Sequence, residues 1–322
     1  MKIDVIIPVY KPGKELFELI DRLEKQTVPV NRIILMNTEE KYLEQLVYGS
    51  AFFEHHERVE VHHLSKREFD HGGTRRKGVD RSEAEVFVMM TQDAMPADSY
   101  LLERLTAPLY GKRADARQEA SEKKTAVQVA CAYARQLPNE SCRELERYTR
   151  AFNYPDSSGI KTQADLPKLG IKTYFCSNVC AAYRRDIYEQ LGGFVHRTIF
   201  NEDMIYAGTA VQAGYAVAYV AEAQVIHSHN YTNRQQFHRN FDLGVSQAQH
   251  PEIFAGVPSE SEGKKMVMQT ARHLCKQGKP QQLVTLFAQS VAKYAGYLLG
   301  KHYAALPHSL VLAFSDNKGY WK

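Results

Sequence analysis

Four short polar stretches of this chain carry residues that could do chemistry. The first is Thr91-Gln92-Asp93-Ala94, which follows directly on the apolar run Val86 to Met90. That run is short and β-branched enough to be a strand buried on both faces. In an open α/β sheet, ligands bind beyond the carboxyl ends of the strands, so Asp93 stands where chemistry usually happens. A carboxylate there can hold a divalent cation, and the cation a diphosphate. It can equally start a turn before Ala94-Met95-Pro96. The second stretch, Phe200-Asn201-Glu202-Asp203-Met204, sets adjacent acids ahead of the helical run Ile205, Ala207, Ala210 and Val211. The dipole of a helix favours negative charge in its first turn, so capping and catalysis both fit. In the third, Val225-Ile226-His227-Ser228-His229, two histidines lie two residues apart and share a face if the chain is extended. Such a pair near acids is a candidate for metal ligation.

The fourth stretch is Phe69-Asp70-His71-Gly72-Gly73-Thr74-Arg75-Arg76-Lys77-Gly78. Two glycines, a threonine and a basic turn suggest a loop feeding a helix N-terminus, where free backbone N–H groups suit phosphate. A plain Gly-Gly turn with a solvated basic face fits as well. The pattern is neither GxGxxG nor GxxxxGK[ST], so the dehydrogenase and P-loop readings lose support.

The elements that must position these residues read as an α/β sheet. Residues 3–9 are nearly all apolar, as expected of a central parallel strand, and Pro12-Gly13 ends it. Glu15, Leu16, Leu19, Ile20 and Leu23 then recur at helical spacing, and residues 32–36 and 59–64 form further strands. Strand, helix, strand at this rhythm predicts a doubly wound sheet. Strands are also expected at 125–132, 173–183 and 216–221, a charged helix or loop at 111–124, and a short helix at 184–191. Residues 145–169 lack clear periodicity and read as a long loop of the kind that covers substrates. Arg234, Phe237, His238, Arg239, Phe241 and Asp242 fall on an amphipathic helix. From Gly263 onward nine lysines and arginines face one acid, Asp316, while Leu283, Phe287, Val291, Tyr294 and Leu298 recur every three to four residues. Such a basic amphipathic segment suits an anionic membrane surface. It suits packing against the main domain or a second subunit equally well.

Composition bounds the rest. With 44% hydrophobic and 24% charged residues, the 322-residue chain has the make-up of an ordinary soluble protein, long enough for one large domain and an appendage. A net charge of +4 does not imply nucleic acid. There is no apolar run of about 18 residues and no signal-peptide layout at Met1-Lys2-Ile3-Asp4. Five cysteines without CxxC spacing indicate neither a disulfide framework nor a zinc site. A cytoplasmic protein is expected.

In order along the chain, Ile7-Pro8-Val9-Tyr10, His71-Gly72-Gly73-Thr74-Arg75, Thr91-Gln92-Asp93-Ala94 and Asn201-Glu202-Asp203 resemble an inverting family 2 glycosyltransferase. More narrowly they resemble its rhamnosyltransferase branch, which builds rhamnose-rich surface polysaccharides. The resemblance runs from Met1 to about Val245, and the closing Tyr320-Trp321 is also similar. It implies a GT-A fold, a Rossmann-like mixed sheet flanked by helices, over residues 1–250, with 251–322 as the helical appendage. It also implies a nucleotide-diphosphate sugar donor. Pro8, Val9 and Tyr10 would lie against the base, and Glu39 near an acid that reads it, in the setting Asn37-Thr38-Glu39 where an Asp-Asp pair is common. His71, Gly72, Gly73 and Arg75 match the family's donor loop, with Arg76 where asparagine is usual. The family's Asp-x-Asp appears as Thr91-Gln92-Asp93. Gln92 would hydrogen-bond the donor, and Asp93 alone would bind Mg²⁺ or Mn²⁺ as a carboxylate, with His227 or His229 as a further ligand.

By the same resemblance Asp203 is the base that deprotonates the acceptor hydroxyl and Glu202 orients it, while Ser177 and Asn178 line the acceptor side. The physics is consistent with these roles. A divalent ion on Asp93 neutralises the leaving diphosphate. One base suffices for inversion by direct displacement, and no Ser/His or Cys/His nucleophile pattern is evident. The expectation is an inverting, metal-dependent rhamnosyltransferase using dTDP-β-L-rhamnose, with a lipid-linked glycan acceptor at the inner face of the membrane. A UDP-hexose or UDP-N-acetylhexosamine donor is the first alternative. A non-catalytic sugar-nucleotide-binding subunit is the second, and a homo-oligomer is compatible with all three.

Overall fold

The computed structural model describes residues 1–110, 127–257 and 260–322. Among them, nine strands form one mixed sheet flanked by helices. β1 (Ile3–Tyr10), β2 (Arg32–Thr38), β3 (Val59–Leu64) and β4 (Val86–Met90) are parallel and ordered β3-β2-β1-β4. Beyond β4 the direction reverses. β8 (Cys180–Arg184) is antiparallel to both β4 and β6 (Val129–Leu137), and β6 runs parallel to β9 (Ala216–Ile226). Two short strands, β5 (Met95–Pro96) and β7 (Gly159–Lys161), add to β9.

The helices are α1 (Glu15–Glu24), α2 (Glu40–Val47), α3 (His71–Asp80), α4 (Leu101–Thr106), α5 (Glu144–Asn153), α6 (Leu166–Leu169) and α7 (Arg185–Gln190). α8 (Glu202–Gln212), α9 (Asn233–Gln249), α10 (Pro251–Phe254), α11 (Glu260–Lys276), α12 (Gln282–Lys301) and α13 (His308–Phe314) complete the set.

Both faces of the central strands are covered, which is why they read as unbroken apolar runs. Along β1, Ile3, Val5, Ile7 and Val9 enter the core that α1 and α4 close, and Ile6 enters the core on the other face. Asp4 interrupts the run at no cost in unpaired charge. It is fully buried and receives Asn31 Nδ2 at 2.7 Å, Ser82 Oγ at 2.7 Å and Arg32 Nη2 at 3.2 Å.

Three sequence expectations shift. The strand expected at 125–132 lies four residues later, as β6, and its first residues, like the stretch 111–124, fall outside the described residues. Residues 145–169 hold α5, β7 and α6 rather than a loop. The helical period of α5 went unseen because one of its two buried positions is Arg150. The strand expected at 173–183 begins only at Cys180, since Asn178 turns its backbone N–H to Asp203 instead of to a neighbouring strand. The mixed sheet flanked by helices is as expected.

The C-terminal helices continue the fold from α9. α12 lies along α9 at glycine contacts: a β-carbon on Gly296 would stand 2.2 Å from Phe237 O, and one on Gly300 2.1 Å from Phe241 O. Asp242 on α9 receives the backbone N–H groups of Asp316 and Asn317 at 3.0 and 3.3 Å, and so ties down the C-terminal tail. On the face of α12 turned from α9, Val284, Phe287, Val291, Tyr294 and Leu298 are exposed. No helix of the described residues is long and apolar enough to cross a membrane.

Candidate active site

Asp93 leaves the end of β4, and His227 and His229 leave the end of β9. The register of the sheet brings them together. His229 Nε2 lies 3.1 Å and His227 Nε2 3.6 Å from Asp93 Oδ2, and the two imidazole nitrogens are 3.0 Å apart. Burial opposes the charge on Asp93, but the two histidines and Thr91 outweigh it and hold its carboxyl far below the usual carboxylate range. Burial lowers the His227 pKa, favouring the neutral ring. Its Nδ1 is engaged from behind. Arg150 can only donate, so Gln136 must present Oε1 to it, and that oxygen also accepts the Nδ1–H of His227 at 3.1 Å. With a divalent ion at Nε2, the Nδ1–H would donate to Gln136, which makes Gln136 the outer-shell partner of a metal-ligating histidine.

These residues fit a divalent ion. Ligands about 2.1 Å from one ion and at right angles stand about 3.0 Å apart, close to the spacings found here. The three residues form the one such group of three among the described residues.

The acid pair lies at the start of α8, after Asn201 in the left-handed region at φ 63°. Glu202 is buried, 4% exposed, with Arg75 Nε at 3.1 Å and Asn178 Nδ2 at 2.9 Å from its Oε1. Burial alone would raise its pKa, but Arg75, His71 and Asn178 together keep it below the ordinary carboxylate value. Asp203 is partly buried and accepts the backbone N–H groups of Asn178 at 2.9 Å and Met204 at 2.8 Å. Burial and the neighbouring Glu202 charge push its pKa up to about 7. Two adjacent carboxyls driven in opposite directions separate into a fixed anion and a proton acceptor poised near neutrality.

A cavity of 330 Å³ is lined by Tyr10, Thr38, Lys66, His71, Phe200 and Arg239 among others, with Asp242 and Asp316 as its carboxylates. His71 is held neutral, since burial lowers its pKa to about 4.

Several expected donor contacts turn out to have other work. Gln92 is spent on Tyr10, accepting its N–H at 2.8 Å and donating to its carbonyl at 3.0 Å, so it locks β1 to β4. Val9 points into the core at 1% exposure, while Pro8 is partly buried and Tyr10 faces out. Glu39 accepts the N–H of Lys66 at 2.7 Å, and it is Thr38 that reaches the cavity. Gly72 and Gly73 lie inside the first turn of α3, not in a loop. Asp70 caps the Gly73 N–H at 2.7 Å, and a β-carbon on Gly72 would meet Val195 O at 2.4 Å, so close packing accounts for the glycines. Arg75 is 6% exposed and serves Glu202 rather than facing the donor. Arg76 donates to Gly192 O and Phe194 O. Asn178 is engaged within the protein: its N–H holds Asp203, its Nδ2 donates to Glu202, and its Oδ1 accepts Tyr183 OH at 2.7 Å. Ser177 accepts Gln136 Nε2 at 3.0 Å. The sequence had singled out none of Gln136, Arg150 or Tyr231. Only the folded contacts mark them, because none belongs to a motif of its own.

The family model for glycosyl transferase family 2 matches residues 4–192. The chain belongs to glycosyl transferase family 2. Its similarity to curated relatives extends over nearly the whole length of both. It is 38% identical to the O-antigen chain rhamnosyltransferase RfbN of Salmonella typhimurium, covering 100% of this chain and 96% of that one. It is 37% identical to the O-antigen chain rhamnosyltransferase WbaN of Salmonella anatum, covering 98% and 95%. Among solved structures it is similar to the mannosyltransferase PcManGT of Pyrobaculum calidifontis, in complex with GDP-Man and Mn²⁺. That pair has a TM-score of 0.53 at 15% identity, covering 99% of this chain and 84% of that one. Residues 1–349 of S. aureus TarS give a TM-score of 0.51 at 14% identity, covering 100% and 89%. The protein is a glycosyltransferase with the GT-A fold.

Proposed function

We propose that this glycosyltransferase transfers L-rhamnose from dTDP-β-L-rhamnose to a hydroxyl of a lipid-linked glycan, with inversion at the anomeric carbon. The sugar rests on the two rhamnosyltransferase relatives. The observation that carries the mechanism is the divided acid pair, with Asp203 raised to about 7 beside a Glu202 locked as an anion.

Asp203 takes the proton of the acceptor hydroxyl as that oxygen bonds to the anomeric carbon. The bond from that carbon to the diphosphate breaks on the opposite face, and dTDP departs. Glu202, pinned by Arg75 and Asn178, holds Asp203 in place and raises its basicity. Asp93, His227 and His229 are the residues that would hold Mg²⁺ or Mn²⁺. When bound, such an ion supplies Lewis-acid neutralisation of the leaving diphosphate. Tyr10 and Thr38 face the cavity that would take the nucleoside.

We place the reaction at the cytoplasmic face of the inner membrane, with the basic C-terminal segment against anionic lipid and the apolar stripe of α12 toward the acyl boundary. The test is turnover of a panel of sugar nucleotides, with and without Mn²⁺, by wild type, Asp93→Ala and Asp203→Asn. Metal-dependent use of dTDP-rhamnose, lost in both variants, is expected. Preference for a UDP-hexose or UDP-N-acetylhexosamine would overturn the rhamnose assignment.

A further inference from the structure

On α9, Arg239 has no assigned role, yet its setting is that of an anion-binding group. Its guanidinium lies 4.7 Å over the Tyr231 ring and 5.4 Å over the Phe200 ring. Two aromatic rings hold the planar cation by its π surface, which leaves the five N–H donors of its edge available. Among the described residues no carboxylate or carbonyl takes up those donors. Arg239 lines the 330 Å³ cavity together with Tyr10, Thr38 and Lys66. On its other side, the Tyr231 ring stacks at 5.1 Å from the ring of His229, which belongs to the Asp93 cluster. Tyr231 is thus the single ring between Arg239 and the group fitted for a divalent ion.

We infer that Arg239 binds the diphosphate of the donor and stays with it as the leaving group. The inference rests on the nucleotide-sugar reading above. A nucleoside seated against Tyr10 and Thr38 would share its cavity with Arg239, which Tyr231 alone separates from His229 of the Asp93 cluster. A fork of parallel N–H groups matches two phosphate oxygens at once, which a lysine cannot do. The residue makes the same contact with donor and product, and the contact strengthens as negative charge gathers on the departing diphosphate. The aromatic clamp keeps the side chain in place before ligand arrives, which lowers the entropy lost on binding. Two carboxylates, Asp242 and Asp316, also line the cavity. Asp242 spends its Oδ2 on the backbone N–H groups of Asp316 and Asn317, and among the described residues no ion pair joins either carboxylate to the guanidinium.

The experiment is calorimetric binding of dTDP and dTMP to the full chain, with and without Mn²⁺, for wild type, Arg239→Gln and Arg239→Lys. A lost charge-assisted hydrogen-bond pair weakens binding by about tenfold to a hundredfold. Arg239→Gln should show that loss for dTDP while dTMP changes by less than about twofold, because the monophosphate lacks the outer phosphate. Should the glutamine variant not fold, Arg239→Lys decides, since it keeps the charge and the stacked stem. It should lose about threefold or more on dTDP alone. Equal losses on the two ligands would mean that Arg239 merely shapes the cavity, and no loss on dTDP would remove it from the site. Either result overturns the assignment. Wild-type protein that binds no nucleoside diphosphate would instead sink the donor reading, so the two failures are separable.

Discussion

Replacing Asp203 by Asn tests the division of labour between the two carboxyls, because at pH 8 it should lower activity and raise stability together. With its pKa at about 7, Asp203 is half ionised near pH 7, and a rate that depends on its carboxylate rises with pH and levels above pH 8. At pH 6 about a tenth remains ionised, so the wild-type rate should be about tenfold below its plateau. The asparagine cannot take the proton, and about 10²- to 10⁴-fold of the rate should go with it. The stability effect has the opposite sign. The folded pKa lies above the unfolded value of about 3.9, so the contribution is fully present below that value and is lost as pH rises through about 7. Three pKa units correspond to about 4 kcal/mol once the group is fully ionised. Discounted for partial exposure and the coupling to Glu202, about 2 kcal/mol remains. Asparagine avoids that cost but gives one of the two backbone N–H groups, of Asn178 or Met204, a poorer partner, at about 1 kcal/mol. Urea unfolding should therefore find Asp203→Asn the less stable protein at pH 5 and the more stable one at pH 8. Initial rates of dTDP release from pH 5.5 to 9 complete the test. A wild-type rate flat between pH 6 and 8, or a variant with more than a tenth of wild-type activity, would refute the assignment of Asp203 as base.

Gln136→Leu removes the acceptor that engages His227 Nδ1, so Mn²⁺ affinity, read by electron paramagnetic resonance, should fall about 10- to 100-fold while the fold persists. Stripping the metal with a chelator should abolish turnover in wild type and restore it on Mn²⁺ addition. Gly300→Val forces a side chain into Phe241 O, and guanidinium unfolding should show a loss of about 1–3 kcal/mol; an unchanged midpoint would deny the close approach of α9 and α12. Phe287→Glu, at an exposed position of α12, should reduce co-sedimentation with anionic vesicles without changing turnover of a soluble acceptor. If it instead shifts the oligomeric state in light scattering and leaves vesicle binding intact, the stripe is a contact between copies of the chain.

Much of this protein is legible in residue order alone. Continuous apolar runs such as 86–90 specify strands covered on both faces, and the 3-to-4 spacing of Leu16, Leu19, Ile20 and Leu23 specifies α1, because burial period follows directly from local geometry. The positions of Asp93 and of Glu202-Asp203 at element ends are likewise local facts. What residue order leaves open is which donor and acceptor atoms are already spent. Gln92, Arg75 and Asn178 look like ligand contacts in the sequence, but partners 82, 127 and 25 residues away engage them. The reverse holds for Gln136 and Arg150, which carry no motif and yet set the state of His227. Hydrogen bonds and ion pairs act over about 3 Å in space, whatever the separation along the chain. Only the pairing of β4, β8, β6 and β9 in one sheet decided that Asp93 should meet two histidines, and only the approach of α3 to the start of α8 that Glu202, not Asp203, should keep the arginine.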